Sequence, residues 1–152
     1  MLWAAPVVAI TAPELRGTNA NRDIAQDMHG RDLRLSEYIK ADLNGVNLSG
    51  SDLRGAIFNN SSLLKADLSG ADLSDAVAFA SHFDAADLSD SVLVNGMFMR
   101  TSFQDSIITA ADFSDAVLDQ SERLALCRLA SGTNSRTGVS TRDSLHCPSA
   151  RP

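Results

Sequence analysis

Six aspartates, Asp42, Asp52, Asp67, Asp72, Asp87 and Asp112, stand at spacings that are all multiples of five. Carboxylates held close together could divide acid and base work between them. Each of the six, however, immediately precedes a Leu or Phe in a repeating phrase, so the regularity puts them on a solvated face that recurs with the chain. Ser and Thr hydroxyls are abundant, but none has a His or Cys neighbour in a nucleophile motif. Gly45, Gly50, Gly55 and Gly70 are spaced for corners and form no phosphate loop. Lone His29 and His82 read as surface residues. Cys127 and Cys147 leave three chemistries open: a disulfide, two free thiols, or a metal site drawing on His146. A disulfide would close a loop of about twenty residues, worth on the order of 3 kcal/mol in the chain-entropy picture. A structural zinc site normally takes four ligands, and His29 and His82 lie far from this tail in the chain. The expectation is a noncatalytic chain with no cofactor, no metal and no small-molecule substrate.

The element that must carry these residues is set by a period of five. Every fifth residue from Tyr38 through Leu43, Leu48, Leu53 and Phe58 to Phe113 and Leu118 is apolar or aromatic, and a small residue stands two places before each. On an α-helix, steps of five advance by about 140° and smear the series over all faces. On a flat strand an odd step alternates faces and exposes half of it. A chain that turns a corner every five residues instead aims each Leu or Phe at a common axis. That is a solenoid, in which each coil touches only its neighbours.

The phrases Ala41-Asp42-Leu43-Asn44-Gly45, Ala66-Asp67-Leu68-Ser69-Gly70, Ala71-Asp72-Leu73-Ser74-Asp75 and Ala86-Asp87-Leu88-Ser89-Asp90 resemble the A-(D/N)-L-x-x unit of pentapeptide-repeat proteins. The resemblance implies an all-β solenoid, a right-handed quadrilateral β-helix with four pentads per coil. Weaker pentads from Gln26 extend the run, so residues 26–120 make about five coils, a rod on the order of 20–25 Å long at strand spacing. Residues twenty apart should stack: Met28, Leu48, Leu68, Leu88 and Ile108; Leu33, Leu53, Leu73, Leu93 and Phe113; Tyr38, Phe58, Ala78, Phe98 and Leu118; Leu43, Leu63, Phe83 and Phe103. Ala78 is the misfit, and the expectation is that it leaves a gap or that the adjacent Phe79 turns inward.

The 152 residues are 44% hydrophobic, carry a formal charge of -6, and hold no apolar run long enough to span a bilayer. Residues 26–120 contain fifteen acids against six bases. An acidic rod does not attract nucleic acid. Residues 1–12 read as the remnant of an export signal, with small residues at Val7-Val8-Ala9, and 13–25 as a lead-in covering the first coil, with Leu15 and Ile24 as its apolar residues. Residues 121–152 form a helical cap and tail. A helix over 121–130, capped by Asp119 or Ser121 and ended before Gly132, would lay Leu124, Leu126 and Leu129 on the last coil. Thr141 would cap a second short helix through Cys147. This tail is similar to the extension of pentapeptide-repeat proteins of the cyanobacterial and chloroplast thylakoid lumen. The resemblance implies that Cys127 and Cys147 are bonded and that the protein resides in the thylakoid lumen or periplasm.

Outward positions carry what the repeat leaves free. Two columns just before the core residue are mostly polar: Asp32, Asp52, Asp72, Val92 and Asp112, and Asp27, Asn47, Asp67, Asp87 and Ile107. A third reads Glu37, Ile57, Val77, Met97 and Val117, flanked by Ile39, Phe79 and Met99. An apolar strip running from coil to coil marks a contact surface, unless the chain's own termini fold over it. The expected function is a noncatalytic interaction module that binds an unidentified protein or a second copy through Ile39, Ile57, Val77, Phe79, Met97, Met99 and Val117. The competing expectation is an acidic mimic of DNA that occupies an enzyme such as a topoisomerase.

Overall fold

The computed structural model describes residues 23–149. The expected export remnant, and the lead-in up to residue 22, lie outside the described residues. Parallel bridges join residues twenty apart in four columns, from Asp27↔Asn47, Asp32↔Asp52, Glu37↔Ile57 and Asp42↔Ser62 upward. The weaker pentads at the start are therefore part of the coil. Among the described residues only Met97–Phe98 (β1) and Val117–Leu118 (β2) extend beyond single bridges, pairing in parallel.

One backbone rule generates this geometry. Every fifth residue from Gly30 to Asp115 has a left-handed backbone, with φ between 51° and 69°. Five of these corner residues are Gly and the others are not; Lys40, Ala80 and Arg100 are among those that carry side chains there. Each non-Gly corner costs roughly 1–2 kcal/mol. The return is a closed coil whose hydrogen bonds run between layers, as where the Met28 N–H donates to the Asn47 carbonyl (2.7 Å) and the Asn47 N–H to the Gln26 carbonyl (2.9 Å).

Inside, the four expected stacks form one buried core from Met28 to Phe113, with Leu118 partly covered at the upper end. The space beside Ala78 is not filled by the expected inward turn of Phe79, whose side chain stays outside, 44% exposed. Phe83, from the neighbouring stack, takes the space: its ring meets Phe58 at 6.0 Å and Phe98 at 6.2 Å, both edge-on. Aromatic contacts then run on through Phe103 to Phe113. Gly96 belongs to the same adjustment, since a Cβ there would stand 2.3 Å from the Phe98 ring. At the other end Tyr38 stacks on Phe58 at 5.4 Å, and burial pushes its phenol up to about 12.

Three corners of each coil close with a backbone turn bond, such as Ser51 N–H to the Leu48 carbonyl. At the corner after Tyr38, Phe58 and Ala78 that bond is replaced by a buried hydroxyl. Ser61 Oγ donates to the Tyr38 carbonyl (2.8 Å), Ser81 Oγ to that of Phe58, and Thr101 Oγ1 to that of Ala78 (2.7 Å). In return the Ser61 N–H donates to Ser81 Oγ and the Ala41 N–H to Ser61 Oγ. Ser81→Ala strands a buried donor and a buried acceptor at once, and is expected to cost about 1–3 kcal/mol in reversible denaturation. Ser91→Ala, at a corner where the Ser91 N–H still bonds the Leu88 carbonyl, should cost clearly less. Equal losses would show that the hydroxyls do not hold that corner.

Candidate contact face and C-terminal clasp

The third column forms as an uninterrupted ladder, Glu37↔Ile57↔Val77↔Met97↔Val117, which lines its side chains up on one flat side of the coil. Met97 is 50% and Val117 44% exposed, while Ile57 and Val77 are partly covered by their neighbours above and below. Beside the column, Phe79 lies under the Arg100 guanidinium, 5.8 Å from its ring centre, and Ile39 and Met99 are partly buried. Asn59 and Asp119 continue this flanking row and turn their side chains to the backbone, accepting from the N–H groups of Phe79 (3.0 Å) and Arg100 (2.9 Å).

Beyond the last coil come α1, Gln120–Cys127, and α2, Thr141–Ser144. Both differ from expectation in extent. Asp119 precedes α1 without its side chain capping it, because its carboxylate accepts from the Arg100 N–H, and the helix ends three residues early, at Cys127. Ser140, not Thr141, caps α2 by accepting from the Asp143 N–H. Of the three leucines expected to cover the coil only Leu126 is buried; Leu124 and Leu129 are 39% and 47% exposed. Cys127, Ala130 and Leu145 complete the apolar cover.

Polar groups do the rest of the capping. N–H groups of the last coil that have no further coil above find Glu122 Oε2 (from Phe103, 3.2 Å), the Ser131 carbonyl (from Ala110, 2.7 Å) and Ser144 Oγ (from Phe113, 3.0 Å). This answers the exposed edge that a solenoid's end presents. Cys127 and Cys147 are joined in a disulfide with sulfurs 2.10 Å apart. Arg142 Nη1 donates to the Cys127 carbonyl and Arg123 Nη1 to those of Leu145 and His146, tying the two helices further.

Between the helices a strap runs down the corner of Gly70, Asp90 and Ala110. Asn134 Nδ2 donates to the carbonyls of Ser91 and Ala110, and Arg136 Nη2 to those of Gly70, Ala71 and Asp90. The Asp90 carboxylate accepts from the Ser135 hydroxyl and N–H, which together with the Arg136 charge hold its pKa below the ordinary value. Nothing in the sequence assigns a partner to Asn134, Ser135 and Arg136, because they lie outside the repeat and its period. The strap occupies the corner diagonally opposite the one that ends the apolar face. Of the two termini that could cover that face, the described C-terminal extension does not.

The acidic columns do not converge on a site. Asp67, Asp72, Asp87 and Asp112 each accept from the Ser two residues on, as Asn47 does, and Asp32 and Asp52 hold Arg34 and Arg54 in two-point ion pairs. These arginines depress both carboxyls. His29 and His82 are exposed, and no group of three His, Cys, Asp or Glu among the described residues is arranged to hold a metal. An open groove of about 350 Å³ between the last coil and α1 is lined by Ser102, Gln104, Glu122 and Leu129; the Ser102 hydroxyl donates to the Asp84 carboxylate, which also accepts from the Gln104 N–H.

A family model described as pentapeptide repeats matches residues 40–77 in eight copies. A pentapeptide-repeat protein from the Arabidopsis thaliana thylakoid lumen, known from a crystal structure, is 32% identical over 92% of this chain and 95% of its own, with a TM-score of 0.51. The chain belongs to the pentapeptide-repeat family. Two further Arabidopsis thaliana relatives are the chloroplastic thylakoid lumenal protein TL20.3, 57% identical over 44 residues, and the thylakoid lumenal 15 kDa protein 1, 50% identical over 40. Those matches take in 29% and 26% of this chain and only 16% and 18% of the relatives.

In this pentapeptide-repeat chain the clasp is expected to fail from its own end. Cys127→Ser should raise hydrogen exchange first around Ile108 to Leu118 and leave Met28 to Leu48 protected, because coils are coupled only to neighbours. The opposite order would remove the capping role. Acid acts on the strap in a defined direction. Asp90 has a lowered pKa in the folded chain, so its contribution is present above the unfolded value of about 3.9 and is lost as pH falls through the lower folded value. Thermal melts between about pH 4 and 2 should therefore fall less steeply in Asp90→Asn than in the parent; parallel slopes would show that the strap contact does not couple to stability.

Proposed function

We propose that the chain is a noncatalytic protein-interaction module of the thylakoid lumen, carried on the right-handed quadrilateral β-helix that family membership implies. Its contact face is the column Ile57, Val77, Met97 and Val117 with Ile39, Phe79 and Met99 beside it. The observation that carries this reading is the exposure of Met97, Val117 and Phe79 in register on one flat side, where the repeat requires nothing apolar. The compartment is supported by the lumenal relatives and by the disulfide, which suits an oxidising location. Mimicry of DNA is the weaker reading. It needs a continuous face of free negative charge, whereas one acidic column is interrupted by Val92 and partly neutralised by Arg34 and Arg54, and the other ends in Ile107.

The double change Val77→Asp with Met97→Asp places two charges in the middle of the face without touching the core. It should leave the melting temperature nearly unchanged and abolish association with lumenal proteins in pull-downs from thylakoid lumen extract, together with any self-association in sedimentation. A variant that stays folded and keeps every association would sink this assignment.

A further inference from the structure

Two rails of charge border the apolar column, and they have opposite signs. The corner on one side reads Leu35, Gly55, Asp75, Asn95 and Asp115, whose only charges are negative; the corner on the other reads Lys40, Asn60, Ala80, Arg100 and Gln120, whose only charges are positive. Among the described residues Asp75, Asp115, Lys40 and Arg100 form no ion pair, although Arg34 and Arg54 nearby are fully engaged with carboxylates on the adjoining side. Arg100 is held over the Phe79 ring at the margin of the strip. The strip itself is flat and has the pitch of the coil, so a surface of the same pitch fits it row for row.

We propose that this face pairs with the same face of a second copy, the two rods lying parallel and related by a two-fold axis along their length. The inference rests on the contact-face reading above and names its partner. A two-fold along the rods lays the acidic rail of each copy on the basic rail of the other. Arg100 of one copy then comes level with Asn95 of the other, between Asp75 and Asp115, which lie within about 4–6 Å along the axis at strand spacing. Val77 meets Val77 and Met97 meets Met97. Like-charge contacts fall only at the two ends of the strip: Glu37 on Glu37, close to Lys40, and Asp119 beside Asp115, where the Asp119 carboxylate is turned back onto the Arg100 N–H. The antiparallel alternative sets acidic rail on acidic rail, with Asp75 facing its own copy at the centre. Exposed ion pairs contribute little affinity, so the rails fix orientation while the apolar column supplies attraction. A strip of about five rows buries on the order of 300 Å² per copy, well under the roughly 800 Å² of a stable interface, so the pair is weak and reversible.

Sedimentation equilibrium of the full chain over a wide concentration range tests this, with thermal melts confirming that each variant folds. Self-association is expected to weaken about tenfold in Arg100→Glu and to return in Arg100→Glu combined with Asp115→Arg. Ile57→Cys should crosslink to its own copy on mild oxidation, because only the parallel arrangement brings the two positions together. Failure of the charge swap to restore pairing, or crosslinking of Ile57→Cys only when mixed with Met97→Cys, overturns the parallel pair. A parent chain that is monomeric throughout, while Val77→Asp with Met97→Asp still loses lumenal proteins, overturns self-pairing and leaves the contact face standing. Loss of neither association in that double variant sinks both.

Discussion

Everything in this molecule depends on one residue in five adopting a left-handed backbone. That conformation is unfavourable for most of the side chains that occupy it here, from Lys40 to Asp115, and no single coil could sustain four such corners. They persist because each corner delivers the next five residues into register with the coil below, where backbone donors and acceptors pair across layers. The strain is thus local and the compensation is between neighbours. Stability of this kind propagates along the rod and is most exposed at its ends.

The ends explain why the C-terminal extension is built as it is. Its apolar contribution is modest, since Leu126, Ala130 and Leu145 are buried while Leu124 and Leu129 remain open to solvent. What the last coil lacks is a partner for its N–H groups, and side chains such as Glu122 and Ser144 substitute for carbonyls that a further coil would have offered. The disulfide and the two arginine contacts to helix-end carbonyls keep these substitutes in place. The strap adds a second attachment lower down, reaching as far as the Gly70 carbonyl, so the clasp grips more than the coil it covers.

The inward half of this architecture was legible in the residues and the rest only partly so. A step of five fits no helix or strand, which makes the coil and its four stacks readable from the residues alone. Gly45 and Gly70 hinted at the corners, but Lys40 and Ala80 hold the same conformation with no local signal, because the ladder imposes it. The role of Phe83 beside Ala78 could not be seen from a template that treats each stack separately, since the ring reaches across from one stack to another. The helix boundaries differ from those the sequence implies for a similar reason. Asp119 looks like a cap in sequence, yet the Arg100 N–H of the coil below competes for its carboxylate and wins. The apolar column was legible as a pattern, whereas its freedom from the C-terminal tail depended on where the strap ran.

Inward and outward positions obey different constraints, and this bears on how such a rod acquires a partner. An inward Leu or Phe touches its own coil, the coils on either side and, at Phe83, another stack, so a change there disturbs the whole layer. An outward residue such as Val77 meets mainly Ile57 and Met97, its neighbours in the ladder. A column can therefore change character from acidic to apolar at little cost to the fold, as the two acidic columns do where Val92 and Ile107 interrupt them. Recognition on a solenoid is consequently read along a column and not around a pocket. The apolar column here is bordered by rails of opposite sign at corners whose backbone conformation is already fixed by the fold. The charges on those rails hold defined heights relative to the apolar rows, and in the proposed pair that registration is what would let a flat, weakly attractive surface select one orientation.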